Sequence, residues 1–176
     1  MAIDPARKIG WAACWPSEEP VFGSFATGPP GSEVGSQLLI FRRWLVGRLD
    51  EFRPAHLWYM RPIKLQHDDA NRLERKFGFA AIIQVEAGDR GISCKTAEDA
   101  SVVAFFTGRA RYGTKEMRQV ERRAMKKEAV MRACLAHGWD CLGDDDAGDS
   151  LALLSYAEHK LAPKLAATRG LVLKAG

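Results

Sequence analysis

The sequence lacks the features that mark membrane proteins and disulfide-rich secreted proteins. No apolar run approaches the ~18–20 residues needed to cross a bilayer. No two cysteines form a C-x-x-C pair, and the first residues do not follow the charged-then-apolar order of a signal peptide. With 47% hydrophobic and 27% charged residues, the chain is too apolar for general disorder, and its 176 residues suit one domain. We therefore expect a soluble, cytoplasmic protein with no membrane partner.

The cysteines are few and scattered. There are four of them, at Cys14, Cys94, Cys134 and Cys141, and in a chain without a secretion signal we expect reduced thiols rather than a disulfide framework. Cys134, His137 and Cys141 stand near one another in the sequence and can be drawn as three zinc ligands. Their spacing matches no standard zinc module, so we interpret these cysteines as buried thiols.

Short β-type runs alternate with helical periodicities along the chain. Strands are predicted at 9–15, 21–26, 56–60, 79–85 and 92–96, where β-formers lie between turn residues. Helices are predicted after the caps Ser32 and Thr96, and over 66–77, 115–137 and 146–161. This order of elements favours an α/β or α+β sheet covered by helices on both sides.

Positive charge is concentrated in one stretch. Between Thr107 and Arg132, nine basic residues stand against three glutamates, whereas 140–149 holds five aspartates and no basic residue. A solvated helix face with i,i+4 ion pairs is one explanation. The excess of basic residues favours a second explanation, which is contact with nucleic-acid phosphates. The candidate nucleic-acid-binding residues are Arg109, Arg111, Lys115, Arg118, Lys126 and Lys127.

Three aspartates are candidates for a chemical role. Asp146 and Asp149 are three residues apart at the start of the last predicted helix, so they share a helical face about one turn apart. Carboxylates held this close repel each other unless a cation or a shared proton neutralises them. Capping of the helix by Asp144 or Asp145 explains one or two members of the acidic cluster, but not all five. Asp4 follows a short apolar run and is placed where a strand ends, although Asp4-Pro5 is also an ordinary turn dipeptide.

Two motifs together resemble those of a known family. DPARKIGWA, which contains Asp4, looks like the first-strand motif of the RuvC-type Holliday-junction resolvases of the RNase H-like superfamily. DDDAGDSLALLSYA, which contains Asp146 and Asp149, looks like the closing motif of the same family on its last helix. The similarity covers about residues 1–160 and is closest to the small phage and prophage versions. It implies an RNase H-like α/β domain over 1–162, with a central mixed β-sheet flanked by helices, and a basic tail over 163–176.

The resemblance also implies a reaction. Asp4, Asp146 and Asp149 would be the catalytic residues and would bind up to two Mg²⁺ or Mn²⁺ ions, which stabilise the attacking and leaving oxygens of phosphodiester cleavage. The expected activity is that of an endodeoxyribonuclease that nicks four-way junctions or other branched DNA in recombination and repair. By the same resemblance we expect a homodimer, in the cytoplasm of a bacterial host or of a phage-infected cell.

One position departs from the family pattern. In these resolvases the central strand ends in a glutamate that binds metal, whereas here the strand HLWYM ends in Met60. A thioether is a soft ligand that does not suit magnesium, so we expect cleavage to be impaired unless another acid, such as Asp68, Asp69 or Glu86, reaches the site. The alternatives are a non-catalytic protein that binds branched DNA, or an RNase H-like nuclease that acts on RNA–DNA hybrids or single strands.

Overall fold

The computed structural model describes residues 1–15, 18–66 and 68–163, and within them the chain forms one five-stranded sheet and five helices. The strands are β1 (Ala2–Asp4), β2 (Lys8–Ala13), β3 (Val21–Ala26), β4 (His56–Met60) and β5 (Ser93–Ala97). The helices are α1 (Val34–Phe52), α2 (Ala70–Asp89), α3 (Asp99–Thr107), α4 (Gln119–Ala136) and α5 (Asp145–Leu161). The predicted basic tail, 163–176, lies outside the described residues except for its first position.

The sheet is mixed. Its order is β3-β2-β1-β4-β5. Short connections join β1, β2 and β3 into antiparallel pairs, whereas β4 and β5 run parallel to β1 because α1 and α2 carry the chain back across the sheet. The predicted mixed β-sheet flanked by helices is therefore confirmed. Among the described residues, no helix is both long and apolar enough to cross a membrane.

The core consists of two layers, one on each face of the sheet. Alternate side chains of a strand point to opposite faces. Ile3 and Tyr59 accordingly pack with α1 and α2, while Ala2 and Trp58 pack on the other face with α3, α4 and α5. The residue two positions after Ala2 is Asp4, which therefore points to the face covered by α3, α4 and α5.

The strand predicted at 79–85 is wrong. These residues belong to α2, which also continues through Gly78, where the sequence predicted that a helix stops. The buried positions of α2 recur at helical spacing and are Phe79, Ala80, Ile83, Glu86 and Ala87. Gly78 leaves room for α1, because a Cβ at this position would lie 2.7 Å from Leu38 Cδ2. A short apolar run alone does not distinguish a buried strand from a buried helical segment.

Two predicted helix caps are also wrong. The Ser32 hydroxyl donates to the carbonyl of Pro29 at 2.9 Å, and Glu33 occupies the N-cap position of α1 without a side-chain cap bond. Thr96 lies inside β5, and α3 begins three residues later at Asp99. In both places the helix begins later in the chain than the nearest Ser or Thr predicts.

The last two helices begin close to their predicted positions. The fourth starts at Gln119 rather than at 115. Asp144 caps α5, because its carboxylate accepts a hydrogen bond from the Ala147 backbone N–H at 3.2 Å. The acidic residues after this cap therefore start α5 at the edge of the sheet, where they form part of the site described next.

Candidate active site

The candidate site lies at one edge of the sheet, where three neighbouring strands end. Asp4 is the last residue of β1 and Met60 is the last residue of β4. Ile3 is paired with Tyr59 in the parallel register, so Asp4 and Met60 follow at neighbouring positions. Met60 is in turn paired with Ala97, the last residue of β5. The carboxyl ends of β1, β4 and β5 therefore lie side by side at one end of the sheet. Asp4 and Met60 point there to the face that α5 covers.

The start of α5 approaches this edge very closely. Gly10 of β2 is paired with Asp4 of β1, and a Cβ on Gly10 would lie only 1.9 Å from the backbone oxygen of Asp146. Only glycine leaves room for this approach, since real Cβ atoms do not come within 3.0 Å of another heavy atom. The glycine of the GWA motif thus allows α5 to bring Asp146 and Asp149 to the end of β1.

The carboxylates of Asp4 and Asp149 are held in protein surroundings that disfavour their charge. Burial, followed by the charges of Asp149, Asp99 and Asp146, raises the pKa of Asp4 from 3.8 to about 7. Burial also raises the pKa of Asp149 to about 6, although Lys126 and Lys127 act in the opposite direction. Asp149 and Asp146 are therefore close enough to Asp4 for their charges to act on it.

Three lysines stand next to these acids. Lys8 pairs with Asp144 at 2.8 Å and lies 3.5 Å from Asp146. On the other side, Lys127 pairs with Asp145, and Lys126 pairs with Asp99 at 2.6 Å. Within the described part of the chain, no three Asp, Glu, His or Cys side chains are already gathered in a metal-binding arrangement. The positive charge next to the acids in this structure comes from lysine side chains.

The donor set nevertheless fits Mg²⁺ or Mn²⁺. The candidate ligands Asp4, Asp146 and Asp149 are all carboxylates, which are the hard oxygen ligands that these ions prefer. The side chains of Asp4 and Asp149 form no hydrogen bond and no ion pair with any other described residue. Repelling carboxylates without partners are neutralised by a cation or by protons. The residues present at this edge therefore suit a divalent cation.

Solved structures of one protein share this architecture. RuvC of Thermus thermophilus in complex with a Holliday junction substrate matches with a TM-score of 0.60 at 11% identity, over 91% of this chain and 94% of that chain. The chain has a RuvC-type fold. A second Thermus thermophilus RuvC structure matches with a TM-score of 0.58 at 14% identity, over 92% of this chain and 94% of that chain. Neither a protein-family profile nor a curated protein sequence matches the chain.

In this RuvC-type fold, Met60 faces the α5 side at the end of β4, but it is a core residue. Its side chain is only 6% exposed and belongs to the apolar cluster that includes Ala97 and Leu151. The thioether fills space between the sheet and α3 and α5. It offers no hard oxygen ligand to an ion beside Asp4.

The three acids considered as replacements for a glutamate at Met60 are engaged elsewhere. Glu86 lies in α2, on the opposite face of the sheet, and pairs with Arg42 and Arg90 at 2.6 Å each. Asp68 pairs with Lys76, and Asp69 caps α2. The structure therefore provides no route by which these three side chains compensate for Met60.

Sequence reasoning missed Asp99, the first residue of α3. It follows β5 by two residues, and its charge acts on both Asp4 and Asp149. The signal that could have found it is topological. Polar residues that follow the carboxyl ends of adjacent parallel strands meet at one edge of a sheet, which is where ligands bind in many α/β proteins.

The six candidate nucleic-acid-binding residues divide into two groups. Lys126 and Lys127 point into the acidic site through their ion pairs. The other four are exposed and lie before or at the start of α4: Arg109, Arg111, Lys115 and Arg118. Of these, Arg109 lies over the ring of Tyr112, and Arg118 pairs with Glu121 at 2.8 Å. The stretch 107–132, called the basic segment below, therefore extends from the acidic site into solvent.

The interpretation of Cys134 and Cys141 as buried thiols agrees with their 0% and 5% exposure. Burial raises the pKa of both thiols, which keeps them protonated and unreactive. The His137 ring stacks against both Phe106 and Trp139, whose rings also stack on each other. Cys14 and Cys94 are half-buried.

Proposed function

We propose that this chain is a divalent-metal-dependent endonuclease that nicks four-way junctions or other branched DNA. The observation that carries the proposal is the convergence of Asp4, Asp146 and Asp149, from the two motifs at opposite ends of the chain, at one edge of a RuvC-type sheet. Among the solved structures that share the fold, one RuvC was determined with a Holliday junction substrate. Both observations support hydrolysis of a DNA backbone at this edge.

The reaction requires a site that stabilises negative charge on the attacking and leaving oxygens. Water attacks the phosphorus, one phosphorus–oxygen bond of the backbone breaks, and the leaving oxygen gains a proton. Divalent ions, when bound, supply the positive charge that stabilises the attacking and leaving oxygens. Asp4 and Asp149 would hold these ions from the sheet and from α5, with Asp146 as a third ligand. Lys126 and Lys127 lie where they can attract the phosphate toward the carboxylates.

The partner would be DNA, bound by a homodimer. The exposed side chains of Arg109, Arg111 and Lys115 continue the positive charge away from the acidic site, as a surface that follows phosphates requires. Two-fold symmetry suits a four-way junction, because such a junction offers two equivalent strands for cleavage. Apolar side chains on the outer surfaces of α1 and α2, such as Leu39 and Val85, are exposed and available for an interface between subunits.

The test is cleavage of an end-labelled synthetic four-way junction in Mg²⁺ or Mn²⁺. We expect symmetric nicks, at a rate reduced by Met60, that are lost in Asp146→Asn and retained in Asp140→Asn, since Asp140 is exposed in the loop before α5. Duplex, RNA–DNA hybrid and single-stranded substrates are assayed in parallel. Preferential cleavage of a hybrid or a single strand would support the RNase H-like alternative and contradict the proposed substrate.

A second candidate function is binding of branched DNA without cleavage. The buried Met60 thioether favours it, because the edge then lacks a carboxylate at the end of β4. A gel-shift in Ca²⁺, together with the cleavage assay, distinguishes the two functions. Tight junction binding without nicking in any metal would support the binder, whereas no junction binding at all would contradict both functions.

A further inference from the structure

Asp99 occupies the sheet edge beside Met60. The last residue of β5, Ala97, is the register partner of Met60, and Asp99 begins α3 two residues later. α3 packs against α4 and α5, the helices that carry Lys126, Lys127 and the acidic motif. The carboxylate of Asp99 therefore approaches the same edge as Asp4, but from β5 instead of β4.

The Asp99 carboxylate is held there by a single lysine. Both of its oxygens accept hydrogen bonds from Lys126 Nζ, at 2.6 and 2.7 Å. The Asp99 side chain is 49% exposed, so it can reorient without disturbing the core. Lys126 crosses from α4 to reach it, although Glu128 and other acids lie nearer in the chain. The charge of Lys126, which pairs with Asp99, also acts on Asp4 and Asp149.

Asp99 is electrostatically part of the site. Its charge acts more strongly than that of Asp146 on both Asp4 and Asp149. The side chains of Asp4 and Asp149 accept no hydrogen bond from any other described residue. A cation placed between Asp4 and Asp149 would therefore attract the Asp99 carboxylate as well.

We propose that Asp99 supplies the carboxylate that Met60 does not, and that Lys126 is its counter-ion when no divalent ion is bound. This inference rests on the proposed metal-dependent function and deepens it. On ion binding, Asp99 turns from Lys126 toward the ion, and Lys126 is released toward the phosphate. The site would then contain four carboxylates, from β1, from the start of α3 and from α5.

The experiment measures Mn²⁺ binding to the full chain without DNA, by the electron paramagnetic resonance signal of free Mn²⁺. We expect Asp99→Asn to weaken Mn²⁺ binding by about tenfold or more, a loss typical of removing a group that supports a metal site. Asp4→Asn is the reference for a lost ligand. Glu98→Gln is the matched control, because Glu98 pairs with Arg61 and not with Lys126. Circular dichroism and thermal melts establish that each variant is folded.

Lys126→Met and the double variant with Asp99→Asn test whether Asp99 is a metal ligand or only neutralises the charge of Lys126. If Asp99 binds the ion, Asp99→Asn weakens Mn²⁺ binding by a similar factor when Lys126→Met is also present. If Asp99 merely screens Lys126, the double variant binds Mn²⁺ as tightly as Lys126→Met alone, and the inference is overturned.

The outcomes also separate this inference from the proposed function. Unchanged Mn²⁺ affinity in Asp99→Asn, together with a loss in Asp4→Asn, overturns the role of Asp99 and leaves the proposed function standing. Failure of the unmodified protein to bind Mn²⁺ at millimolar concentration overturns both. A loss in Asp99→Asn that matches the loss in Asp4→Asn, with no change in Glu98→Gln, supports the inference.

Discussion

At the scale of single residues, protonation of the Asp4 carboxylate makes the free energy of unfolding depend on pH. Its pKa is raised from 3.8 to about 7 by burial and by neighbouring aspartates, so the folded protein keeps a proton that the unfolded chain releases near pH 4. The folded state then binds more protons than the unfolded state, and the metal-free protein loses stability as the pH rises from about 4 to about 7. Above pH 7 this destabilisation is complete.

Asp4→Asn should therefore stabilise the metal-free protein at pH 8. The amide carries no charge, and we expect a gain of about 1–3 kcal/mol in the free energy of unfolding at pH 8, with a much smaller gain at pH 4. Thermal melts in EDTA at both pH values measure this difference. Asp140→Asn, in the exposed loop before α5, is the control and should not alter the pH dependence. Equal gains at pH 4 and pH 8 in Asp4→Asn would contradict the prediction.

Met60→Glu tests the residue that departs from the family pattern. In the metal-free protein a glutamate at this buried position should lower the free energy of unfolding, because its charge is desolvated and lies beside Asp4. Mn²⁺ should restore the lost stability and bind at least about tenfold more tightly than to the unmodified protein. Calorimetry and thermal melts with and without Mn²⁺ measure both effects.

The control for this variant is Met125→Glu. Met125 lies on α4 and is 36% exposed, so a glutamate there adds the same charge outside the site. We expect no gain in Mn²⁺ affinity from it. The same affinity gain in both variants would mean that overall charge, and not the end of β4, determines metal binding.

At the scale of secondary-structure elements, the distance between α5 and the sheet depends on Gly10. A methyl group at this position would collide with the Asp146 backbone oxygen at 1.9 Å, so Gly10→Ala must push the start of α5 off β2. We expect a loss of at least about 2 kcal/mol in the free energy of unfolding, measured by urea denaturation. Mn²⁺ binding should weaken in the same variant, because Asp146 and Asp149 move with the helix.

Gly47→Ala is the matched control for Gly10→Ala. Gly47 lies in α1, where an added Cβ would meet no atom within 4 Å, and alanine is a better helix former than glycine. It should stabilise the protein by up to about 1 kcal/mol without changing Mn²⁺ binding. Destabilisation by both substitutions would argue against a specific contact between Gly10 and α5.

At the scale of the whole molecule, the concentrated basic stretch 107–132 lies on one face of the sheet, and we expect that face to contribute more to DNA binding. The basic segment and the acidic site lie on the side of α3, α4 and α5, whereas α1 and α2 cover the opposite face. Replacing Arg109, Arg111 and Lys115 by glutamine should therefore weaken junction binding. It should also reduce the slope of log affinity against log salt by up to about 3, since each phosphate contact contributes about 0.9.

The control for this triple variant removes three positive charges from the other side. Arg43, Arg48 and Arg53 lie on α1 or at its end, and their replacement by glutamine should leave the salt slope nearly unchanged. Fluorescence anisotropy with a labelled junction in Ca²⁺ over a series of salt concentrations measures both variants. Equal changes in slope would show that net charge, and not the position of the basic segment, controls binding.

Much of the fold and the three aspartates of the site could be predicted from local sequence signals. The alternation of β-type runs and amphipathic helices indicated a sheet covered on both faces, and the Asp-x-x-Asp spacing placed Asp146 and Asp149 on one helical face. Capping by Asp144 was also predictable, because an N-cap depends on contacts within three residues. Signals of this range depend on the local chain and require no knowledge of the rest of the fold.

Other features depend on partners far away in the chain, and only the tertiary structure decided them. Residues 79–85 became helical because α2 packs its 3.6-residue periodicity against α1, with Gly78 at the crossing. The close fit of Gly10 against α5 joins residues 136 positions apart. Asp99 reaches the site only because β5 lies next to β4. The sequence alone thus determined three of the candidate carboxylates, and the packing of distant elements decided that Asp99 joins them and which other side chains surround them.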